Sequence, residues 1–196
     1  MASDEGADER RYCFEVLSEE HKSLRGAFCC GEDALDGYLQ RQARQDMKRG
    51  LSVAHVLRDK EQERIAGYYT LSSEVIERGE LPAALERGFG RNRVFPAILL
   101  GRLAVDLEYQ GEGLGRELLL DALYRALELS RTSVGAMAVL VDALHEKAQE
   151  FYTRYGFEQL DILEQNEGAG TRTSGEPGPG HPKRRLYLPM KSITRL

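Results

Sequence analysis

Hydrophobic and polar positions follow two different periods along the chain, and the changes of period mark its elements. Alternating or continuous apolar runs predict strands at residues 12–17, 52–58, 65–72, 95–106, 136–141, 157–162 and 185–190. Apolar residues at helical spacing predict helices at 33–50, 80–87, 112–131 and 146–154, the first of them capped by Asp33. Because strands and helices alternate, the pattern predicts a single α/β domain with a mixed sheet.

One strand–turn–helix unit dominates this pattern. The strand FPAILLGRLAVD (95–106) is nearly continuous in apolar residues, which predicts a position in mid-sheet with both faces buried. The helix at 112–131 has one apolar side, made of Leu114, Leu118, Leu119, Ala122, Leu123, Ala126 and Leu127. The chemistry of the protein is therefore expected where this strand meets this helix.

Two segments stand outside the pattern. Residues 1–11 are acidic and polar and predict a frayed tail, so the domain is expected to span 12–196. Eight of the seventeen residues at 166–182 are Gly or Pro, which predicts a flexible loop. No run reaches the length of a membrane span, and the tail does not have the pattern of a signal peptide.

The chain has three cysteines: Cys13, Cys29 and Cys30. An odd number with an adjacent pair is a poor disulfide framework, and no spacing suggests a zinc site. The expectation is free thiols in or near the core of a protein of the reducing cytoplasm, with no metal.

The acidic net charge of the chain hides two basic segments. The chain has 27 Lys and Arg against 32 Asp and Glu, and a net charge of −5 argues against a dedicated nucleic-acid binder. Residues 87–102, however, have four arginines and no acid, and residues 171–196 have six bases and one acid. These segments carry +9 and leave −14 for the rest, so a basic face for nucleic-acid phosphates remains possible beside the alternative of solvated charge runs.

A glycine-rich turn, QGEGLG at 110–115, joins the dominant strand to its helix. Closely spaced glycines gather backbone N–H groups at a helix N-terminus, where the helix dipole favours a phosphate. Arg116 stands where a Walker loop needs Lys, and the spacing GxGxG differs from the dinucleotide pattern GxGxxG. The turn therefore predicts a cofactor with a polyphosphate without saying which, beside the alternative of a purely structural turn.

Three blocks together resemble the GNAT N-acetyltransferase family: this turn after a long apolar strand, a strand that ends VDA at 141–143, and AQEFYTRYGF at 148–157. The resemblance implies a GNAT fold whose mixed sheet is splayed at its centre and flanked by helices, with acetyl-CoA as cofactor. It places the pantetheine arm along Leu103, Ala104 and Val105, and the pyrophosphate at Gln110, Gly111, Glu112, Gly113, Leu114, Gly115 and Arg116. Asp142 is placed with the cofactor in the same way.

The resemblance also implies a catalytic residue. The tyrosine of the Phe-Tyr pair in this family protonates the departing thiolate, and it corresponds to Tyr152. A phenol with a pKa near 10 can donate a proton to a thiolate whose conjugate acid has a pKa of about 8.5 when it is well placed. Tyr155 is the neighbouring alternative and is expected to be a structural residue at the helix end.

Four further blocks resemble, more narrowly, the acetyltransferase toxins of type II toxin–antitoxin systems: FCCGEDALDGYL (28–39), GYYTLS (67–72), LGRLAVD (100–106) and LYLPM (186–190). The resemblance implies acetylation of the α-amine of aminoacyl-tRNA, which blocks translation. It also implies a ribbon-helix-helix antitoxin as partner and a homodimer. Toxins of this kind connect their last strands more briefly than the loop at 166–182 does.

The residues add a clue of their own to the substrate. The dominant strand contains no histidine or carboxylate before its last residue, and Glu74 and Asp142 are candidate bases in neighbouring strand ends. An α-amine, with a pKa of about 7.7–8.0, needs a base less than a lysine near 10.4. Arg102 is a cation within an apolar strand, so it requires a partner or a ligand and is expected at the acceptor cleft. The other expected tRNA contacts are Arg91, Arg93, Lys183, Arg184 and Arg185.

The sequence is also compatible with two other functions. One is a GNAT enzyme that acetylates a small-molecule amine or a protein N-terminus. The other is a non-catalytic binding module that keeps the fold for interaction alone; the intact glycine turn and Tyr152 argue against it.

Overall fold

The computed structural model describes residues 10–82, 94–160 and 184–193. The strands found there are β1 (Tyr12–Val16), β2 (Val53–Asp59), β3 (Arg64–Ile76), β4 (Phe95–Val105), β5 (Ala138–Ala143), β6 (Glu158–Gln159) and β7 (Arg184–Pro189). They form one seven-stranded sheet in the order β1-β2-β3-β4-β5-β7-β6. Parallel pairing of β4 with β5 combines with antiparallel pairs such as β1 with β2, which confirms the predicted α/β fold with a mixed sheet.

The described α-helices are α1 (Lys22–Arg25), α2 (Asp33–Gly37), α3 (Ala43–Lys48), α4 (Leu114–Thr132), α5 (Glu146–Arg154) and α6 (Met190–Ile193). A π-helical segment, Tyr38–Gln42, joins α2 to α3, and single 3-10 turns lie at Glu19–His21 and Leu107–Tyr109. Over the ranges that the structure describes, no helix has both the length and the apolar character needed to cross a membrane.

The chain divides into two compact units. Residues Met1–Ser72 and Arg102–Ala122 form the first, and residues Ser73–Gly101 and Leu123–Leu196 form the second. The first unit contains β1, β2, most of β3 and the beginning of α4, whereas the second contains β5, β6, β7, α5 and α6.

Three aromatic side chains pack together in the core of the first unit. The Tyr68 ring lies edge-on to Phe28 at 5.4 Å and stacks with Tyr38 at 6.5 Å between ring centroids. Both tyrosine hydroxyls have hydrogen-bond partners, since Tyr68 donates to the Leu35 carbonyl at 2.8 Å and Tyr38 lies 3.0 Å from the Ser52 hydroxyl. A buried tyrosine whose hydroxyl is bonded in this way combines a large apolar contact with a fixed orientation.

The π-helical segment begins at one of these rings. Its defining bond runs from the Ala43 N–H to the Tyr38 carbonyl, one residue further back than an α-helix allows. Apolar spacing predicted one helix over 33–50, and this wide turn left no sign in the sequence. Single π turns are often found at functional sites. The position of Tyr38 is therefore relevant to the site described below.

β3 lies unusually close to its neighbours at Gly67. A Cβ atom at this position would be 2.6 Å from Leu118 Cδ1 and 2.9 Å from the Ala104 carbonyl oxygen. Leu118 is fully buried and the second contact is backbone, so neither can move away freely. We expect Gly67→Ala to lower the free energy of unfolding by about 1–3 kcal/mol, measured by chemical denaturation.

Gly135→Ala is the matched control for this substitution. Nothing lies within 4 Å of a Cβ built at Gly135, which is exposed. Its effect should stay within about 0.5 kcal/mol. Equal effects of the two substitutions would contradict the close approach at Gly67.

The second unit is built around β5. This strand pairs in parallel with β4 over Ala97–Leu100 and antiparallel with β7 along its whole length. Leu140, Phe95 and Tyr187 are buried together in the core that results. The register of β4 with β5 ends at Leu100, before β4 itself ends.

The structure corrects several predicted element boundaries. The N-cap of α2 is Glu32 rather than Asp33, and it makes no side-chain capping bond. α4 begins at Leu114 rather than at 112, because Gly113 has a φ of 82° and cannot belong to the helix. Within the described residues, the strand predicted at 157–162 pairs at Glu158–Gln159, and residues 161–162 lie outside them. The Phe157 N–H still bonds to the Tyr152 carbonyl of the preceding helix, so the strand begins one residue later than predicted.

Other differences concern segments that the pattern did not reveal. α1 and α6 were not predicted, and both are only four residues long. The predicted helix at 80–87 lies outside the described residues from residue 83 onward, and so does the loop at 166–182. Arg11 was assigned to the tail, but its side chain bonds to Asp59.

All three cysteines are free thiols, as expected, but only one of them is buried. Cys30 is in the core, Cys13 is half-buried and Cys29 is exposed. The backbone of Cys29 bridges to the turn after β4: its N–H donates to Asp106 Oδ2 at 2.9 Å, and its carbonyl accepts from the Leu107 N–H at 2.8 Å.

Candidate active site

The glycine turn lies between a 3-10 turn and the first residue of α4. Gly111 and Gly113 have φ values of 89° and 82°, in the left-handed region that L side chains rarely adopt. Nothing lies within 4 Å of a Cβ built at either position. The backbone conformation of the turn, and not a shortage of space, therefore requires these glycines.

The turn leaves a row of backbone donors open. Within the described ranges, the N–H groups of Gly113, Leu114 and Gly115 donate to no carbonyl or side chain, whereas the Arg116 N–H closes the first turn onto the Gly113 carbonyl at 2.9 Å. α4 continues for 19 residues and adds the positive end of its dipole. These donors fit an anionic group such as a pyrophosphate.

Side chains at the base of the turn hold it in place. Asp106, only 1% exposed, accepts from the Glu108 N–H at 3.0 Å and from the Cys29 N–H at 2.9 Å. The Gln110 side-chain amide donates to the Cys30 and Val105 carbonyls at 3.1 and 3.0 Å. Gln110 was expected to bind the cofactor, but its side-chain nitrogen is engaged by backbone. Asp106 was not singled out, although an Asp directly after a strand is a common turn-capping signal.

The two charged residues of the turn have protein partners. Tyr12 donates its hydroxyl proton to Glu112 Oε2 at 2.9 Å, and Arg116 pairs with its neighbour Glu117 at 2.8 Å. The Arg116–Glu117 pair joins two exposed side chains, and such ion pairs exchange readily with solvent. Arg116 therefore remains able to turn toward an anion.

The second half of β4 differs from the prediction. β4 is the fourth of seven strands, as expected, but Gly101 is exposed and Arg102, Leu103 and Val105 are half-buried. The first half of the strand is mostly buried except at the exposed Pro96, so the predicted burial on both faces is not found along the whole strand. Ala104 is buried in the core of the first unit.

Arg102 finds an aromatic partner. Its guanidinium carbon lies 3.5 Å from the centroid of the Tyr38 ring, at the start of the π-helical segment. Within the described part of the chain, no hydrogen bond or ion pair engages this guanidinium. The ring stabilises the cation by a cation–π interaction and leaves its N–H donors open to a ligand.

Tyr152 lies in α5 and is 8% exposed. Its ring packs against Phe151 at 5.2 Å and Phe157 at 5.4 Å. The hydroxyl makes no hydrogen bond to any described residue. Burial raises the pKa of Tyr152 above the ordinary value, so the group keeps its proton at neutral pH. Tyr155, the alternative, is half-buried at the end of the helix with its ring against Phe151.

The two candidate bases share one arginine. Arg185 donates from Nε to Asp142 at 3.0 Å and from a terminal nitrogen to Glu74 at 3.4 Å. Burial alone would lower the pKa of Arg185, but the two carboxylates outweigh this effect and raise it. Both acids are therefore occupied in an ion-pair network, and Arg185 is not free for a phosphate.

The remaining predicted tRNA contacts divide into two groups. Arg184 hydrogen-bonds to the side-chain oxygen of Gln149. Arg91, Arg93 and Lys183 lie outside the described residues. Arg102 in the first unit is thus the described member of the set that makes no hydrogen bond or ion pair with a described residue.

The fold and the open glycine turn are those of an acetyltransferase family. A model described as an acetyltransferase (GNAT) domain matches residues 53–159, from β2 through the glycine turn to β6. The chain belongs to the GNAT acetyltransferase family, which confirms the resemblance and makes it an N-acetyltransferase.

Within this family the chain is similar to toxins. It is 39% identical over 133 residues to a tRNA-acetylating toxin of Mycobacterium tuberculosis, a match that covers 67% of this chain and 76% of the relative. AtaT complexed with acetyl-methionyl-tRNAfMet has a TM-score of 0.75 and 28% identity, covering 94% of this chain and 98% of that one. A tyrosine-to-phenylalanine mutant of the toxin AtaT, bound to the C-terminus of the antitoxin AtaR and to acetyl-CoA, has a TM-score of 0.70 and 27% identity, covering 95% and 98%.

Proposed function

We propose that this protein is a toxin that transfers an acetyl group from acetyl-CoA to the α-amine of aminoacyl-tRNA and so blocks translation. The observation that carries the proposal is the row of open N–H groups at the start of α4 in a chain of the GNAT family. Similarity to a tRNA-acetylating toxin and to AtaT bound to acetyl-methionyl-tRNA supports this substrate.

The cofactor site follows from the turn. The open N–H groups of Gly113, Leu114 and Gly115 hold the pyrophosphate, with Gln110, Gly111 and Glu112 forming the turn that presents them and Arg116 as the adjacent cation. Leu103, Ala104 and Val105 lie beyond the stretch of β4 that pairs with β5, and we assign the pantetheine arm to them. Bound acetyl-CoA supplies the activated acetyl thioester. We also propose that Asp142 lies near the bound cofactor, although its carboxylate is bonded to Arg185.

Tyr152 is the proposed acid. Its raised pKa keeps the hydroxyl protonated, and no described residue competes for its proton. The hydroxyl is therefore available to donate a hydrogen bond to the negative charge that develops on the departing sulfur, although burial makes the phenol a weaker acid toward a thiolate whose conjugate acid has a pKa of about 8.5. The rings of Phe151 and Phe157 limit the orientations of Tyr152, so the donor is directed by packing rather than by a hydrogen bond.

The acceptor is an amine that needs little activation. Glu74 and Asp142, the candidate bases, are both paired with Arg185. An α-amine with a pKa of about 7.7–8.0 is partly neutral at physiological pH without a base, unlike a lysine. The network therefore favours the α-amine of an aminoacyl ester over a lysine side chain.

We propose that basic side chains contact the phosphates of the tRNA. Arg102 offers the open donors described above, and Arg91, Arg93 and Lys183 belong to the two basic segments of the sequence. Arg184 adds positive charge to the basic segment at 171–196, although one of its nitrogens is bonded to Gln149. We also propose a ribbon-helix-helix antitoxin as partner, a homodimer, and location in the cytoplasm, where aminoacyl-tRNA is used.

The decisive experiment is acetylation of charged tRNA. We expect the purified protein to release free CoA thiol and acetylate the amine when given acetyl-CoA and a mixture of aminoacyl-tRNAs. Uncharged tRNA should give no reaction. In vitro translation should stop only when acetyl-CoA is present. Unimpaired translation would overturn the proposal, and rapid turnover on small amines or on peptides with a free N-terminus would favour the broader GNAT alternative.

A further inference from the structure

The tip of the glycine turn is attached to the first strand of the protein. Glu112, between the two left-handed glycines, accepts a hydrogen bond from the Tyr12 hydroxyl of β1 at 2.9 Å. These residues are 100 positions apart in the sequence. The contact joins the N-terminal edge of the sheet to the backbone that presents the open N–H groups.

The base and the tip of the turn are held differently. Asp106 and Gln110 fasten the base to the backbone of Cys29 and Cys30. At the tip, no atom packs within 4 Å of a Cβ position at either glycine. Residues 111–113 also make two local bonds, from the Glu112 N–H to the Tyr109 carbonyl and from the Arg116 N–H to the Gly113 carbonyl. Among the residues that the structure describes, the bond from Tyr12 is the one hydrogen bond that joins residues 111–113 to a part of the chain distant in sequence.

Tyr12 is itself a fixed point. Its ring lies edge-on to Tyr109 at 6.3 Å, and the Arg11 guanidinium lies 4.9 Å from its centroid. Arg11 is in turn bonded to Asp59, which faces Tyr12 across the β1–β2 pair. Since these contacts involve the ring and the backbone, a phenylalanine at position 12 would keep them and lose only the hydroxyl.

Charge makes this bond more consequential. Glu112 brings a negative charge to a turn whose proposed ligand is a pyrophosphate, so a free carboxylate would oppose binding. A donor on β1 fixes that carboxylate at the strand. Burial and the bond to Glu112 raise the pKa of Tyr12, so the hydroxyl remains a donor at neutral pH.

We propose that Tyr12 is a positioning residue for the acetyl-CoA site: through Glu112 it orders the tip of the turn and keeps the carboxylate away from the pyrophosphate. This inference rests on the proposed use of acetyl-CoA. It assigns to β1, which precedes the matched GNAT region at 53–159, a part in cofactor affinity.

The test compares Tyr12→Phe with Tyr124→Phe, a substitution of an exposed tyrosine on α4. We expect Tyr12→Phe to weaken acetyl-CoA binding about three- to tenfold in isothermal titration calorimetry, the usual weight of one hydrogen bond. KM for acetyl-CoA should rise by the same factor, while kcat and KM for the acceptor stay unchanged. Tyr124→Phe should leave all four quantities unchanged, and thermal denaturation of each sample checks folding.

Introducing Tyr12→Phe into the Glu112→Ala variant tests whether Tyr12 acts through Glu112. In Glu112→Ala, Tyr12→Phe should have no further effect on affinity, because the bond it removes is already absent. The proposal is overturned if Tyr12→Phe leaves the affinity of the wild type unchanged, or if it weakens binding equally in both backgrounds. Failure of the wild type to bind acetyl-CoA would instead overturn the proposed function itself, and this inference with it.

Discussion

Tyr152→Phe is expected to lower kcat for acetyl transfer by at least about a hundredfold, the lower end of what a general acid contributes. The phenylalanine ring keeps the packing against Phe151 and Phe157, and the lost hydroxyl has no hydrogen-bond partner among the described residues. Stability should therefore be unchanged. Steady-state assays that follow free CoA thiol would measure kcat, thermal denaturation would measure stability, and calorimetric titration would measure the affinity for acetyl-CoA.

Tyr155→Phe is the matched control, because its ring also contacts Phe151 and its residue closes the same helix. We expect it to retain kcat within about twofold, as surface substitutions away from a site do. Acetyl-CoA should bind both variants as it binds the wild type. Full activity in Tyr152→Phe would remove Tyr152 from the mechanism, and loss of activity in both variants would point to the helix end rather than to one hydroxyl.

Asp59→Asn is expected to lower the free energy of unfolding by about 2–4 kcal/mol, since it disturbs several buried hydrogen bonds at once. Asp59 is fully buried and accepts from Arg11 Nε at 3.0 Å, from the Tyr109 hydroxyl at 3.1 Å, and from the N–H groups of Glu61 and Gln62 at 3.0 and 3.2 Å. An amide has one acceptor oxygen in place of two and presents donors to these donors. Chemical denaturation at neutral pH would measure the loss.

The same substitution has a defined pH dependence. Burial by itself raises the pKa of Asp59, but the hydrogen bonds from Arg11, Gln62, Tyr109 and Glu61 outweigh it and hold the pKa below the ordinary value. The stabilisation is therefore complete above the unfolded pKa of about 3.9 and is lost as pH falls through the folded one. The difference in the free energy of unfolding between wild type and Asp59→Asn should therefore narrow as pH falls from about 5 through the unfolded and then the folded pKa of Asp59.

Glu61→Gln serves as the control. Glu61 is 66% exposed and lies 3.8 Å from the same arginine, so its removal should change stability by no more than about 0.5 kcal/mol. A gap that stays constant as pH falls would show that Asp59 is not the titrating group.

Sequence patterns predicted what depends on neighbouring residues. The strand at 95–106, the glycine turn and the helix after it were recognisable because the apolar period changes within a few positions. Membership of the GNAT family followed from the same segment together with the Phe-Tyr pair at 151–152. A cation in an apolar strand also predicted correctly that Arg102 needs a partner, although not that the partner is the ring of Tyr38.

What remained hidden depends on distant residues. Arg185 and Glu74 are 111 positions apart, and Tyr109 and Asp59 are 50 apart. Periodicity and local propensity contain no information on such pairs, because the folded sheet alone brings them together. For this reason Glu74, Asp142 and Arg185 looked like separate functional candidates in the sequence, although they share one network.

The open surroundings of Gly111 and Gly113 mean that the handedness of the backbone, rather than side-chain volume, restricts which residues these two positions accept. A methyl group would meet no neighbour there, but an L residue would have to adopt a mirror-image backbone angle. A D-alanine introduced by chemical synthesis would fit the available space and would adopt the positive φ without strain. The turn is therefore a place where the chirality of the amino acids, and not the crowding of the fold, limits what the chain can contain.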